Sequence, residues 1–265
     1  MTREPTDAEG PIVLDSVQAD GTSVRTYEVR VSDCEMSAGE SERVAGLLED
    51  AGFVRATETV RSHSSVDGRP TICVYCASGG DNPDNLSLAA AVGTEIGNRG
   101  WRLISGGGTV AMMGAVARAA RAAGAHTTGV IPKIFVQWEL ADLEADELIV
   151  TDTLTQRKNL MSERADAFLT LPGGLGTLEE LLENWTAASL GIHQKPVVLL
   201  DPAGHYRGLL EWVGNLCDQG FVRTAAIDRL VVTTDIDTAF TNLCPATWSP
   251  LLRSNGSQPM TASLA

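Results

Sequence analysis

From Thr71 onward, short apolar runs alternate with helical stretches. "TICVYCA", "WRLIS", "TTGVI", "AFLTL", "PVVLL" and "LVVTT" read as strands. Between them lie "NLSLAAAVGTEIGNRG", the alanine-rich "TVAMMGAVARAARAAGA", "TLTQRKNLMSERA", a helix after Gly176 and another from about Tyr206 to Cys217. Short strands separated by helices fold as βαβ units on a parallel sheet. The expected class is therefore α/β, a Rossmann-like, doubly wound parallel sheet. Ligands on such sheets bind beyond the carboxyl ends of the strands, where strand order reverses.

The flanking segments differ in composition. Residues 1–70 carry twice as many acidic as basic residues and end in "RSHSSVDGRP", a linker composition. Within them "RTYEVRV" predicts one strand and "SERVAGLLEDAGF" one helix, with a serine at its start and a glycine stop. The expected organisation is a partly disordered N-terminal appendage at 1–70, one domain at 71–244 and a disordered tail at 245–265, where "SNGSQPMTASLA" is small and polar.

Bulk charge narrows the function. The 265-residue chain has a formal net charge of −14, which opposes a nucleic-acid surface. A small anion is still admissible, because one arginine and a helix N-terminus act locally while distant charges are screened. No apolar stretch reaches membrane-spanning length, and the N-terminus is charged where a signal peptide would be greasy. A soluble, cytoplasmic protein is expected. The five cysteines suit reduced thiols. Cys73 and Cys76 form C-x-x-C, but on a strand their side chains point to opposite faces, unlike a redox or zinc pair.

Two glycine-rich loops end strands and open helices: "SGGGTVAMMG" at Ser105 to Gly114 and "PGGLGT" at Pro172 to Thr177. At such a junction free backbone N–H groups and the positive helix end face one point, and glycine lets an anion approach without a Cβ in the way. Close strand–helix packing explains either loop alone equally well; two in one domain favour phosphate. Neither is a Walker loop, since no G-K-S/T follows. The first also misses the dinucleotide fingerprint, with Ala111 in the third glycine position, so a monophosphate fits better.

"QRKNLMSERAD" supplies Arg157 and Lys158 just before "AFLTL", candidates for gripping phosphate or a polarised base, although a basic pair is also the ordinary content of a solvated helix face. On a helix opening at Thr177, Leu178, Leu181, Leu182 and Trp185 form an apolar stripe. Glu179 and Glu183 share the outer face, whereas Glu180 lies beside the stripe and near the presumed anion. A carboxylate held there suits water activation or a grip on ribose hydroxyls.

With these motifs in order, "PGGLGTLEE", "SGGGTVAMMG" and "RKNLM" resemble the LONELY GUY family of cytokinin-activating phosphoribohydrolases, from about Thr71 to Phe240. The similarity extends through "ELADLEADELIVTDT" and "LGIHQKPVVLLDPAGHY", with Leu175 where an aromatic is common and Ala111 for a glycine. It implies Arg157 and Glu180 as the catalytic pair, and Gly173, Gly174, Gly176 and Thr177 as the holders of a 5′-phosphate. Ser78, Gly107, Gly108 and Thr109 would line the same pocket, with Lys158 beside it. The implied substrate is an AMP-type nucleoside monophosphate, N6-prenylated, without cofactor or metal. The implied assembly is a homodimer, with "ENWTAASLGIH" the candidate interface and core packing its alternative. A general purine nucleotide nucleosidase or a non-catalytic nucleotide-binding protein would share the motifs. Relatives described as lysine decarboxylase-like suggest pyridoxal chemistry, but only Lys133, Lys158 and Lys195 could form its Schiff base. Residues 25–53 resemble the start of tRNA methylthiotransferases; Cys34 lacks cluster partners, implying a degenerate, non-catalytic appendage.

Overall fold

The protein is described from a computed structural model, which covers residues 68–137 and 140–244 and the strand backbone at 12–19, 22–28 and 54–55. Seven strands form the expected parallel sheet: β4 (Thr71–Tyr75), β5 (Arg102–Ser105), β6 (Thr127–Pro132), β7 (Glu147–Thr151), β8 (Ala167–Thr170), β9 (Val197–Leu200) and β10 (Leu230–Thr233). Their spatial order is β10-β9-β8-β4-β5-β6-β7, so the chain reverses direction across the sheet between β4 and β8. The carboxyl ends of β4 and β8 therefore flank the switch point at which doubly wound sheets bind ligands.

The parallel strand β7 is absent from the runs singled out in the sequence, because it opens on a charged residue. Glu147 is nonetheless buried: Arg164 Nη1 contacts its Oε1 at 2.6 Å and Thr128 Oγ1 donates to its Oε2 at 3.1 Å. Beyond β7 the N-terminal segment continues the same sheet. β1 (Ile12–Ala19) pairs antiparallel with β7, β2 (Thr22–Glu28) antiparallel with β1, and β3 (Val54–Arg55) parallel with β2. The strand expected at "RTYEVRV" thus begins earlier, and β1 is an addition that covers the β7 edge. The helix read from "SERVAGLLEDAGF" and the C-terminal tail lie outside the described residues.

Helices cover both faces. On one, α1 (Pro83–Asn98), α2 (Ala111–Ala122) and, near the C-terminus, α8 (Ile236–Leu243) pack over Ile72, Val74, Leu103 and Leu169. A Cβ on Gly93 would overlap the Val116 carbonyl, so glycine lets α1 and α2 touch backbone to backbone. On the other, α4 (Leu154–Arg164), α5 (Leu175–Ser189) and α6 (Arg207–Asp218) pack over Ile104, Phe168, Val197 and Leu199, with the short α3 (Lys133–Gln137) and α7 (Thr224–Ile227) at the periphery. Each fully buried Leu, Ile or Phe contributes about 1.5–3 kcal/mol. Cys73 lies in the second core and Cys76 in the first, as alternation along a strand requires. Burial pushes both thiols far above the ordinary range. Among the described residues no helix is long and apolar enough to cross a membrane.

Candidate active site

Three helix starts are capped by a side chain, while α2, α5, α6 and α7 start without one. Asn82 accepts from the N–H groups of Asp84 and Asn85 to open α1, Thr153 from Gln156 to open α4, and Asp235 from Thr238 to open α8. The helix after the second glycine loop has no such cap. It begins at Leu175 rather than at Thr177, with Gly174 as the capping residue and no side-chain bond. Leu178 donates to the Gly174 carbonyl. The N–H groups of Leu175, Gly176 and Thr177 have no carbonyl within the helix to meet them, and they carry the positive end of its dipole. Gly174 and Gly176 face open space.

A cleft of about 480 Å³ lies over this helix start, lined by Ser78, Gly79, Gly106, Gly108, Arg157, Lys158, Gly174, Gly176, Thr177 and Glu180, among others. Of the residues implicated by sequence, Gly107, Thr109 and Gly173 are not in that lining. Gly107 adopts a φ of 69° and accepts from the Asp142 N–H at 2.8 Å. Thr109 donates its N–H to the Leu140 carbonyl at 3.0 Å. A Cβ on Gly173 would overlap the Thr177 side chain, so that glycine makes room for a threonine.

Arg157 and Glu180 meet at the inner end of the cleft. Arg157 Nη2 lies 3.2 Å from Glu180 Oε1, and its Nε donates to the Val130 carbonyl at 3.1 Å. Gly106 makes this possible, since a Cβ there would overlap Nη2. Glu180 is only 6% exposed. Burial raises its carboxyl above the usual carboxylate range, and the Arg157 guanidinium offsets part of that rise. Lys158 lines the cleft, but its ammonium is shared between Glu179 at 2.7 Å and Glu183 at 2.8 Å, the outer-face pair.

Support for the glycine loop comes from "DPAGHY", which carried no assigned role in the sequence reading. The Asp201 carboxylate accepts from the N–H groups of His205 and Tyr206 at 2.7 and 2.8 Å. That turn aims His205 Nε2 at the Gly173 carbonyl and the Tyr206 hydroxyl at the Leu171 carbonyl, each at 2.9 Å. A D-P-x-G turn after a strand was the only signal available.

A family model described as "Possible lysine decarboxylase" matches residues 113–243. The cytokinin riboside 5′-monophosphate phosphoribohydrolase of Mycobacterium marinum is 52% identical over 182 residues, which is 69% of this chain and 97% of that protein. The chain belongs to the LONELY GUY family of phosphoribohydrolases. Its Mycobacterium tuberculosis relative of the same name is 51% identical, over 68% of this chain and 97% of its own. A molybdenum cofactor binding protein from Rippkaea orientalis superposes with a TM-score of 0.52 at 23% identity, covering 66% of this chain and 95% of that one, and shows the shared fold. Against the decarboxylase description, all three lysines are engaged. Lys158 is held as above, Lys195 donates to the Ser162 carbonyl at 2.6 Å, and Lys133 sits 3.5 Å from Asp152.

Proposed function

We propose that this LONELY GUY family member hydrolyses the N-glycosidic bond of an N6-prenylated AMP, releasing the free base and ribose 5-phosphate. The observation that carries the reading is the buried Arg157–Glu180 pair beside a helix N-terminus whose N–H groups open into the cleft. The 5′-phosphate docks on the N–H groups of Leu175, Gly176 and Thr177, which places the ribose toward Glu180. The C1′–N9 bond breaks with its electron pair leaving on the base, through a ribose that develops oxocarbenium character. The Glu180 carboxylate stabilises that positive charge and orients the attacking water. Water oxygen bonds to C1′, and its protons are divided between the new hydroxyl and the departing base. Arg157 holds Glu180 in place and reaches the phosphate or the leaving base.

The prenyl preference is supported by the apolar residues of the cleft lining, among them Val110, Met113, Ile131, Phe135, Leu140 and Leu154. Names of the mycobacterial relatives agree with a nucleoside monophosphate substrate. The residues named for the site all lie beyond position 77, and residues 1–70 are read as a non-catalytic appendage to a domain at 71–244. A homodimer completes the proposal. Trp185 from the candidate interface is in the core, its Nε1 donating to the Ala226 carbonyl at 2.6 Å, but Leu190 and Ile192 are 70% and 74% exposed. Light scattering of a Leu190→Glu/Ile192→Glu variant should show loss of the dimer.

The test is chromatographic release of free base from AMP and from N6-isopentenyl AMP, by wild type and Glu180→Gln. The expected result is preference for the prenylated nucleotide and a loss of about 10²–10⁴-fold in the variant, the usual range for a positioned acid–base group. Equal rates on both nucleotides would favour the general nucleosidase. Tight binding without release by wild type would favour a binding protein.

A further inference from the structure

We propose that Asn184 is a positioning residue for Glu180, acting through a buried junction with Tyr75 and Ser162; the inference rests on Glu180 being the reacting carboxylate. Asn184 is 3% exposed, one turn beyond Glu180 on α5. A buried primary amide is unfavourable unless its donors and acceptor are met. Here Nδ2 donates to the Tyr75 hydroxyl at 2.9 Å and to the backbone carbonyl of Glu180 at 3.0 Å, while Oδ1 accepts from Ser162 Oγ at 2.9 Å. The Glu180 carbonyl can only accept, which determines which way the amide faces.

Three elements meet at this one side chain: Tyr75 ends β4, Ser162 lies on the helix that carries Arg157, and Asn184 lies on the helix that carries Glu180. Tyr75 is itself immobilised by stacking on Phe168, with centroids 6.0 Å apart and planes within 8°. Ser162 is fixed from behind, since Lys195 Nζ donates to its carbonyl at 2.6 Å. Besides the Arg157–Glu180 pair, whose geometry is the thing to be held, Lys158 ties the two helices to Glu179 and Glu183, whose carboxylates are exposed to water and hold weakly. The buried junction therefore sets how α5 is rotated about its axis. With side chains reaching roughly 5–6 Å from a helix axis, a rotation of about 10° shifts a carboxylate by about 1 Å, and misplacement of that size costs on the order of 10²-fold in rate.

Steady-state kinetics on AMP test this with Asn184→Val, the milder Tyr75→Phe, and the double variant beside wild type. The expected result is a kcat loss of about 10–100-fold for Asn184→Val, and a smaller loss for Tyr75→Phe, with KM within about twofold in both. The double variant should be no slower than Asn184→Val, because groups acting as one unit are not additive. A lower melting temperature with kcat unchanged in the folded variants, or losses appearing in KM, would overturn the proposal and leave Asn184 a packing residue. If wild type itself releases no base, the hydrolase reading fails, and the junction is judged by carbon-13 NMR titration of the Glu180 carboxyl. A midpoint moved by about half a pH unit or more in Tyr75→Phe supports it; an unmoved midpoint overturns it.

Discussion

Two loops that look alike in sequence do different things. In the loop after β5, packing uses up three of the four glycines: Gly107 closes on β6, Gly106 gives way to Arg157, and a Cβ on Gly114 would overlap the Thr109 carbonyl, while Gly108 makes only ordinary contact with Met113 and lines the cleft. Its backbone is stitched to residues 140–142, which Arg121 braces through Asp142 with contacts of 2.7 and 3.1 Å. Even the Met113 N–H, in the first turn of α2, donates to the Ala77 carbonyl at 3.3 Å. After β8 only Gly173 serves packing, and Gly174 and Gly176 border empty space at an uncapped helix start. Counting glycines therefore cannot separate a loop with open glycines from a packing loop; what separates them is where an added Cβ would land.

The contrast breaks most sharply at Gly106. A Cβ there meets the far end of Arg157, which can swing away, so Gly106→Ala should fold and still lose about 10²–10³-fold in kcat/KM, the range for removing one preorganised charged donor. Unchanged activity would mean that Arg157 is not held in place for the chemistry. Gly176→Ala sharpens the other half. Alanine in a helix is favoured over glycine by about 0.5–1 kcal/mol, and nothing blocks its methyl. Thermal melting should therefore rise while KM for AMP increases by roughly tenfold, the equivalent of about 1.4 kcal/mol. A higher melting temperature with unchanged KM would remove phosphate from this loop.

Glu180 adds a pH dependence. Its carboxyl is raised in the fold, so the native state holds that proton more tightly than the unfolded chain does. Stability at this group therefore falls as pH rises from the ordinary carboxylate region through the raised native value. Glu180→Gln should melt no lower than wild type at neutral pH, with the difference shrinking in acid. For the same reason the acid limb of kcat/KM should sit above the ordinary glutamate value of about 4.3. The smallest effect is expected at Ala111, where a φ of 48° places an alanine in the left-handed region. Ala111→Gly should stabilise by about 1 kcal/mol or less, the left-handed penalty minus the entropy of glycine, with kinetics unchanged.

Much of this was legible before the structure. Alternating strands and helices specified the sheet, and P-G-G-x-G-T with a glutamate three residues on specified the junction of Gly176 and Glu180. Three things were not. Glu147 hides β7, because its partners Arg164 and Thr128 are distant in sequence. Lys158 resembles a phosphate ligand until two glutamates from another helix are seen to hold it. Asn184 reads as an ordinary polar helix residue, since Tyr75, its partner on β4, lies 109 positions away. Each miss is a pairing across elements, which local pattern cannot report.

The most direct test of the phosphate-anchored site compares AMP with adenosine as substrates for wild type and Gly176→Ala. Because a phosphate seated on three backbone N–H groups contributes several charge-assisted bonds, wild type should favour AMP by about 10³-fold or more in kcat/KM, at roughly 1.5–3 kcal/mol per bond, and Gly176→Ala should lose much of that preference. Equal cleavage of AMP and adenosine by wild type would contradict the assignment.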